Sequence, residues 1–95
     1  MENKYIILNN NAVLISSVKD EGDSYLLKKP YLVIPDGGNI ILIPWLKDLL
    51  GFEVNETSID KSNVLTVIDC ENNSVLQTYI KQISNIVTND EIILG

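Results

Sequence analysis

Residues 28–46 read Lys28-Lys29-Pro30-Tyr31-Leu32-Val33-Ile34-Pro35-Asp36-Gly37-Gly38-Asn39-Ile40-Ile41-Leu42-Ile43-Pro44-Trp45-Leu46. Two apolar runs rich in Ile and Val flank a dense turn signal at residues 35–39, the pattern of two strands joined by a hairpin loop. Pro30 lacks an amide hydrogen, so it marks a bend, a bulge or an unpaired edge. The run 39–46 is apolar on both faces. A half-exposed strand would alternate, so this one is expected to be covered twice, by the core and by something else.

The same reading extends in both directions. Upstream, residues 4–9 and 12–19 alternate as strands around Asn9-Asn10-Asn11, because Asn tolerates left-handed backbone geometry. Asp20-Glu21-Gly22-Asp23 is a second turn, and residues 24–34 form the third strand. Downstream, residues 45–52 fit either one helical turn ended by Gly51 or a loop joining two halves of a bent strand. Residues 53–59 alternate weakly and fit a continuation of the fourth strand. Asp60-Lys61-Ser62-Asn63 is a tight turn before a fifth strand at residues 64–69. The period then changes from 2 to 3.6. Val75, Leu76, Tyr79, Ile80 and Ile83 make one apolar stripe on a helix, capped by Asn72 or Asn73, that covers a face of the sheet. Ile92-Ile93-Leu94 in the tail is expected to dock, an added strand being one form. The expectation is a single mainly β domain over residues 1–95. It has a strongly bent five-stranded antiparallel sheet at about 4–69, a small open barrel, with a short helix at about 72–84 and a tail at 85–95.

Composition restricts the chemistry. The 95 residues carry 7 basic residues, all lysine, against 13 acidic ones, for a net charge of −6. With no His, a triad using His as base and a zinc site needing His are excluded. One Cys excludes an internal disulfide and a cysteine metal cage. No catalytic set, no metal site and no cofactor is expected. Asp20-Glu21-Gly22-Asp23 lacks the spacing of a calcium loop and reads as a plain turn. Residues 36–39 are not a phosphate loop, and Cys70 has no His to activate it. No run approaches the roughly 20 apolar residues of a membrane helix, and a cytoplasmic location is expected.

The order of strands and turns resembles the Sm/LSm family. The string of residues 28–46, followed by Ile59-Asp60-Lys61-Ser62-Asn63-Val64-Leu65-Thr66-Val67-Ile68-Asp69 and a short helix, looks more closely like Sm-like proteins of marine phages. The resemblance covers about residues 5–83, and its most distinctive parts are the Pro44-Trp45 bend and the Lys61-Ser62 turn. It implies a cyclic homo-oligomer of roughly five to seven subunits, in which the fourth strand of one copy pairs with the fifth strand of the next. Subunit-interface candidates are then Ile41, Ile43, Trp45, Leu46, Val64 and Val67. It also implies single-stranded RNA near a central pore. Asp23 and Tyr25 match the first family motif, where Leu27 replaces the family's Asn. The turn Lys61-Ser62-Asn63 stands where the family carries Arg-Gly, so a single Lys replaces the planar fork. RNA-binding candidates are Asp23, Tyr25, Lys61, Ser62 and Asn63. The adjacent pair Lys28 and Lys29 reads as a solvated edge. The alternative function is a protein-interaction scaffold ring that binds no nucleic acid.

Overall fold

A computed structural model describes the backbone of residues 1–94 and the side chains of residues 1–84. The chain forms β1 (Glu2–Leu8), β2 (Val13–Asp20), β3 (Ser24–Asp36), β4 (Asn39–Pro44), a short α1 (Lys47–Leu50), β5 (Glu56–Asp60), a 3-10 turn (Lys61–Asn63), β6 (Val64–Asp69) and α2 (Ser74–Leu94). All pairings are antiparallel, in the order β4-β3-β2-β1-β6, with β5 also on β3. The fold is thus a mainly β, bent and unclosed sheet with a C-terminal helix.

The expected fourth strand is broken in two. Both halves lie on the same long partner: β4 pairs with residues 31–36 of β3, and β5 with residues 24–28. Between them, residues 45–55 leave the sheet and return. The Trp45 N–H donates to the Pro30 carbonyl at 3.0 Å, and the Lys29 N–H donates to the Asn55 carbonyl at 2.8 Å, so both ends of the excursion are fastened at one point of β3. Within it the helical turn and the loop coexist. Gly51, at φ 82°, closes α1 by donating to the Lys47 carbonyl at 2.8 Å, a left-handed position that suits glycine. In this single chain only Leu42 of β4 is buried, while Ile40 and Ile41 are exposed. The double covering expected for the fourth strand is therefore not supplied by its own chain.

Alternation along the strands sorts the apolar side chains into two layers. On one face the cross-strand series Ile6, Leu14, Leu32 joins Leu8, Val18 and Leu27. On the other, Tyr5, Ile15 and Tyr31 stand opposite one another and pack with Leu42 under α2. Asn73 caps α2, its side chain accepting from the Leu76 N–H at 3.1 Å. Of the predicted stripe, Val75, Leu76, Tyr79 and Ile83 join the second layer, and Ile80 stays on the exposed side. The helix runs on to Leu94, so the backbone of the tail is helical and not an added strand. How the Ile92-Ile93-Leu94 side chains dock lies outside the described residues.

Pro30 marks a bulge. Ile15 pairs with Tyr31 but Ser17 with Lys28, so Ser16 alone faces Lys29 and Pro30. Lys29 takes a left-handed φ of 52°. The carbonyls turned out of the ladder are recovered one by one. The Ser16 hydroxyl donates to the Lys28 carbonyl at 2.8 Å, and the Tyr79 phenol to the Lys29 carbonyl at 2.8 Å. Both side chains are fully buried. Burial pushes the Tyr79 phenol up to about 12, so it remains a donor throughout the neutral range.

Tyr79→Phe leaves the part-buried Lys29 carbonyl without its donor. This should cost about 1–3 kcal/mol at pH 7, read as a lower urea midpoint at an unchanged slope. Because the folded phenol titrates above the ordinary value of 10, its contribution is full below pH 10 and is lost as pH rises toward 12. The gap between wild type and variant should narrow over that alkaline window.

Candidate nucleic-acid interface

Two segments far apart in sequence meet because β5 pairs with the start of β3, Ser24 opposite Asp60. That register sets the 3-10 turn against the β2–β3 turn. The Lys61 N–H donates to the Asp23 carbonyl at 3.0 Å. The Lys61 ammonium lies 4.8 Å from the centre of the Tyr25 ring, within reach of its electron-rich face. It also donates to Asp20 Oδ1 at 2.7 Å. The same Asp20 oxygen accepts from the Gly22 N–H at 2.9 Å and so shapes the β2–β3 turn. The Asp60 carboxylate accepts from the Ser62 N–H at 2.8 Å and caps the 3-10 turn.

The far side of the 3-10 turn is tied to the asparagine turn. The Asn9 N–H donates to the Asn63 carbonyl at 3.0 Å, and its side chain donates to the Ser62 carbonyl at 2.7 Å. Residues 61–63 therefore bridge two ends of the sheet. Lys61 faces Asp20 and Tyr25, and the other end is held by Asn9.

Hydrogen bonds set the local electrostatics. The Lys61 ammonium holds the Asp20 carboxyl below its usual range, helped by the Gly22 N–H. Asp20 in turn raises Lys61 above its ordinary value. Ser62 lowers Asp60. These groups are solvent-exposed, and their ion pairs are correspondingly weak. A cavity of about 490 Å³ opens beside Asp20 and Tyr25, with Val18, Val67, Lys4 and Asp69 also on its walls. Lys4 is itself ion-paired to Asp69 at 3.0 Å.

Of the five RNA candidates, Asp23, Tyr25 and Lys61 meet, whereas Ser62 and Asn63 follow on the far side of the turn, held by Asn9. Leu27, at the position of the family's Asn, is fully buried in the first apolar layer and is closed to a ligand. The Lys28-Lys29 pair is divided. Lys28 is exposed, and the Lys29 ammonium is engaged by Asn55 Oδ1 at 2.7 Å. Two participants were invisible in the sequence, Asp20 as the counter-charge of Lys61 and Asn9 as the tether of Ser62. Each acts across more than 40 residues, and only strand pairing brings them close. Burial raises the Cys70 thiol, which leaves it poor in reactive thiolate. No helix among the described residues is long and apolar enough to cross a membrane.

The interface candidates divide in the same way. Trp45, Val64 and Val67 pack on the chain's own first layer. Ile41 and Leu46 are exposed, and Ile43 is half-buried. On β6 the outward apolar side chains are instead Leu65, 62% exposed, and Ile68, 49% exposed. No protein-family model matches the chain, and no curated protein matches it.

Both lowered carboxyls stabilise the fold above the ordinary carboxylate range and cease to do so as pH falls through their depressed values. Asp20→Asn should therefore be less stable than wild type at pH 7. The difference should shrink as pH falls below the ordinary carboxylate range and through the depressed value of Asp20, as followed by thermal melting across an acid pH series.

Proposed function

We propose that the chain is a non-catalytic, Sm-like ring-forming module that binds single-stranded RNA and serves RNA processing or metabolism. The observation that supports the reading is the meeting of the β2–β3 turn with the 3-10 turn, which sets the Lys61 ammonium over the half-buried Tyr25 ring. An aromatic face and a cation in one place are what a base and its phosphate require.

Ring assembly is supported by the sheet edges. The outer edge of β4 and β5 and the outer edge of β6 both lack a partner strand in the described chain. Unpaired edges invite strand addition, and a head-to-tail contact of unlike edges closes into a cyclic assembly. Exposed Ile40 and Ile41 on one edge, with Leu65 and Ile68 on the other, supply apolar surface for such a contact.

A second reading, a scaffold ring that binds protein and no nucleic acid, is favoured by one specific contact. Asp20 already neutralises Lys61 at 2.7 Å. A chain of net charge −6 has few other cations to offer a phosphate.

The two readings part on the response to Asp20. Under the RNA reading, light scattering should give roughly five to seven times the monomer mass. A fluorescent oligo-U should bind, with log affinity falling by about 0.7 per engaged lysine for each tenfold rise in salt. Asp20→Asn should tighten binding and steepen that slope, while Tyr25→Ala should weaken it about tenfold or more. A ring that binds no oligo-U at low salt, in wild type or in Asp20→Asn, supports the scaffold reading. A stable monomer overturns both.

A further inference from the structure

The 3-10 turn has a second side. Between it, the asparagine turn and the Pro44-Trp45 bend lies a cavity of about 400 Å³, lined by Leu8, Asn9, Asn10, Trp45, Ile59 and Asn63. We propose that this cavity is a nucleobase pocket, in which a base stacks on Trp45 while the rim carboxamides of Asn9, Asn10 and Asn63 hydrogen-bond its polar edge.

Its volume lies within the range of small-molecule sites, roughly 300–1,000 Å³, and is too small for a folded segment. Leu8, Trp45 and Ile59 all belong to the first apolar layer, so wall and floor are held by packing. The indole is also positioned by its backbone, since the Trp45 N–H is fixed to the bulge at Pro30. No lining residue is charged, which selects a neutral group over a phosphate or carboxylate.

The rim is polar in both senses. Asn9 uses its amide nitrogen on the Ser62 carbonyl, which leaves its side-chain oxygen as an acceptor. Asn10 uses its oxygen on the Ala12 N–H, which leaves its amide nitrogen as a donor. The Asn63 carboxamide makes no hydrogen bond among the described residues and offers both. A planar heterocycle with donors and acceptors on one edge and apolar faces matches this arrangement. A sugar ring would set hydroxyls against Leu8 and Ile59 without partners.

The base can belong to a free nucleoside or to a strand lying over the turn. In the second case Lys61 and Asn63, two residues apart, serve neighbouring sites on the same strand. The pocket thus goes beyond the loop cluster of the proposed function and is testable apart from it.

Trp45 is the only tryptophan, so its emission reads the surroundings of this one side chain. Wild type at fixed concentration is titrated with adenosine, uridine and glucose, then with labelled oligo-A and oligo-U followed by both Trp45 emission and anisotropy. Saturable quenching by a nucleoside and not by glucose, weakened about tenfold in Asn63→Ala with unchanged circular dichroism, is the expected result. Quenching by nucleosides without binding of any oligonucleotide keeps the pocket and removes the RNA reading. An oligonucleotide that binds by anisotropy, depends on Tyr25 and leaves Trp45 and Asn63→Ala unaffected removes the pocket and keeps the RNA reading. The pocket is also overturned if glucose quenches equally, if nothing quenches, or if Trp45 emission responds only to dilution, the sign of a neighbouring copy's side chain.

Discussion

The bulge at Lys29 and Pro30 is the constraint on which the rest depends. A thirteen-residue strand with strict alternation would send Lys29 to the same face as Tyr25, Leu27, Tyr31 and Val33. The extra residue changes the phase. Before it Tyr25 and Leu27 face the first apolar layer; after it Leu32 does, while Tyr31 and Val33 turn to the second. A single unpaired residue thereby lets one strand contribute to both cores, and bends it so that the sheet curls. The displaced carbonyls bind Ser16, Tyr79 and Trp45. So β2, α2 and the excursion at residues 45–55 are all fastened to the same point.

That fastening places the loops. The partner strand cannot follow β3 through the bulge, so it breaks into β4 and β5, and β5 is left free to pair with the first residues of β3. Only this second half carries Lys61 to Tyr25. The excursion that bridges the break exposes Leu49 at 81% and Phe52 at 61%, while Trp45 at its root is drawn inward. A backbone requirement at Pro30 is in this way converted into the position of one aromatic group and, through β5, into the company kept by another.

Local signals made most of the fold legible. Turn chemistry at residues 9–11, 20–23 and 35–39 fixed the strand ends to within about two residues, because Asn, Asp and Gly act on their own backbone. The helix stripe was equally readable from its period. The phase shift was not: Pro30 marked the place, but whether it bent, bulged or edged the strand depends on which carbonyls find donors, and Tyr79 lies 50 residues away. Strand 4 looked apolar on both faces, yet among its described residues only Leu42 is buried, and Ile40 and Ile41 stay exposed on the edge strand, where no neighbouring strand covers them. The candidate site shows the same division. Tyr25 and Lys61 stood out through the family resemblance of their segments, whereas the carboxylate that holds Lys61 comes from a strand end that no local pattern links to it.

That carboxylate also decides how a nucleic acid would have to bind. Lys61 serves the fold by pairing with Asp20 and lying over Tyr25. A phosphate that recruits it must displace an existing partner and gains only the difference between two similar ion pairs, a small quantity at an exposed site. A ring of such chains multiplies a negative field, so counterion release cannot supply most of the affinity. The remaining source is the bases themselves, through aromatic stacking of about 1–3 kcal/mol each and through carboxamide contacts to their edges. Under the proposed function, an acidic, arginine-free chain with Tyr25 on one side of a turn and Trp45 on the other would take its selectivity from the base and little from charge.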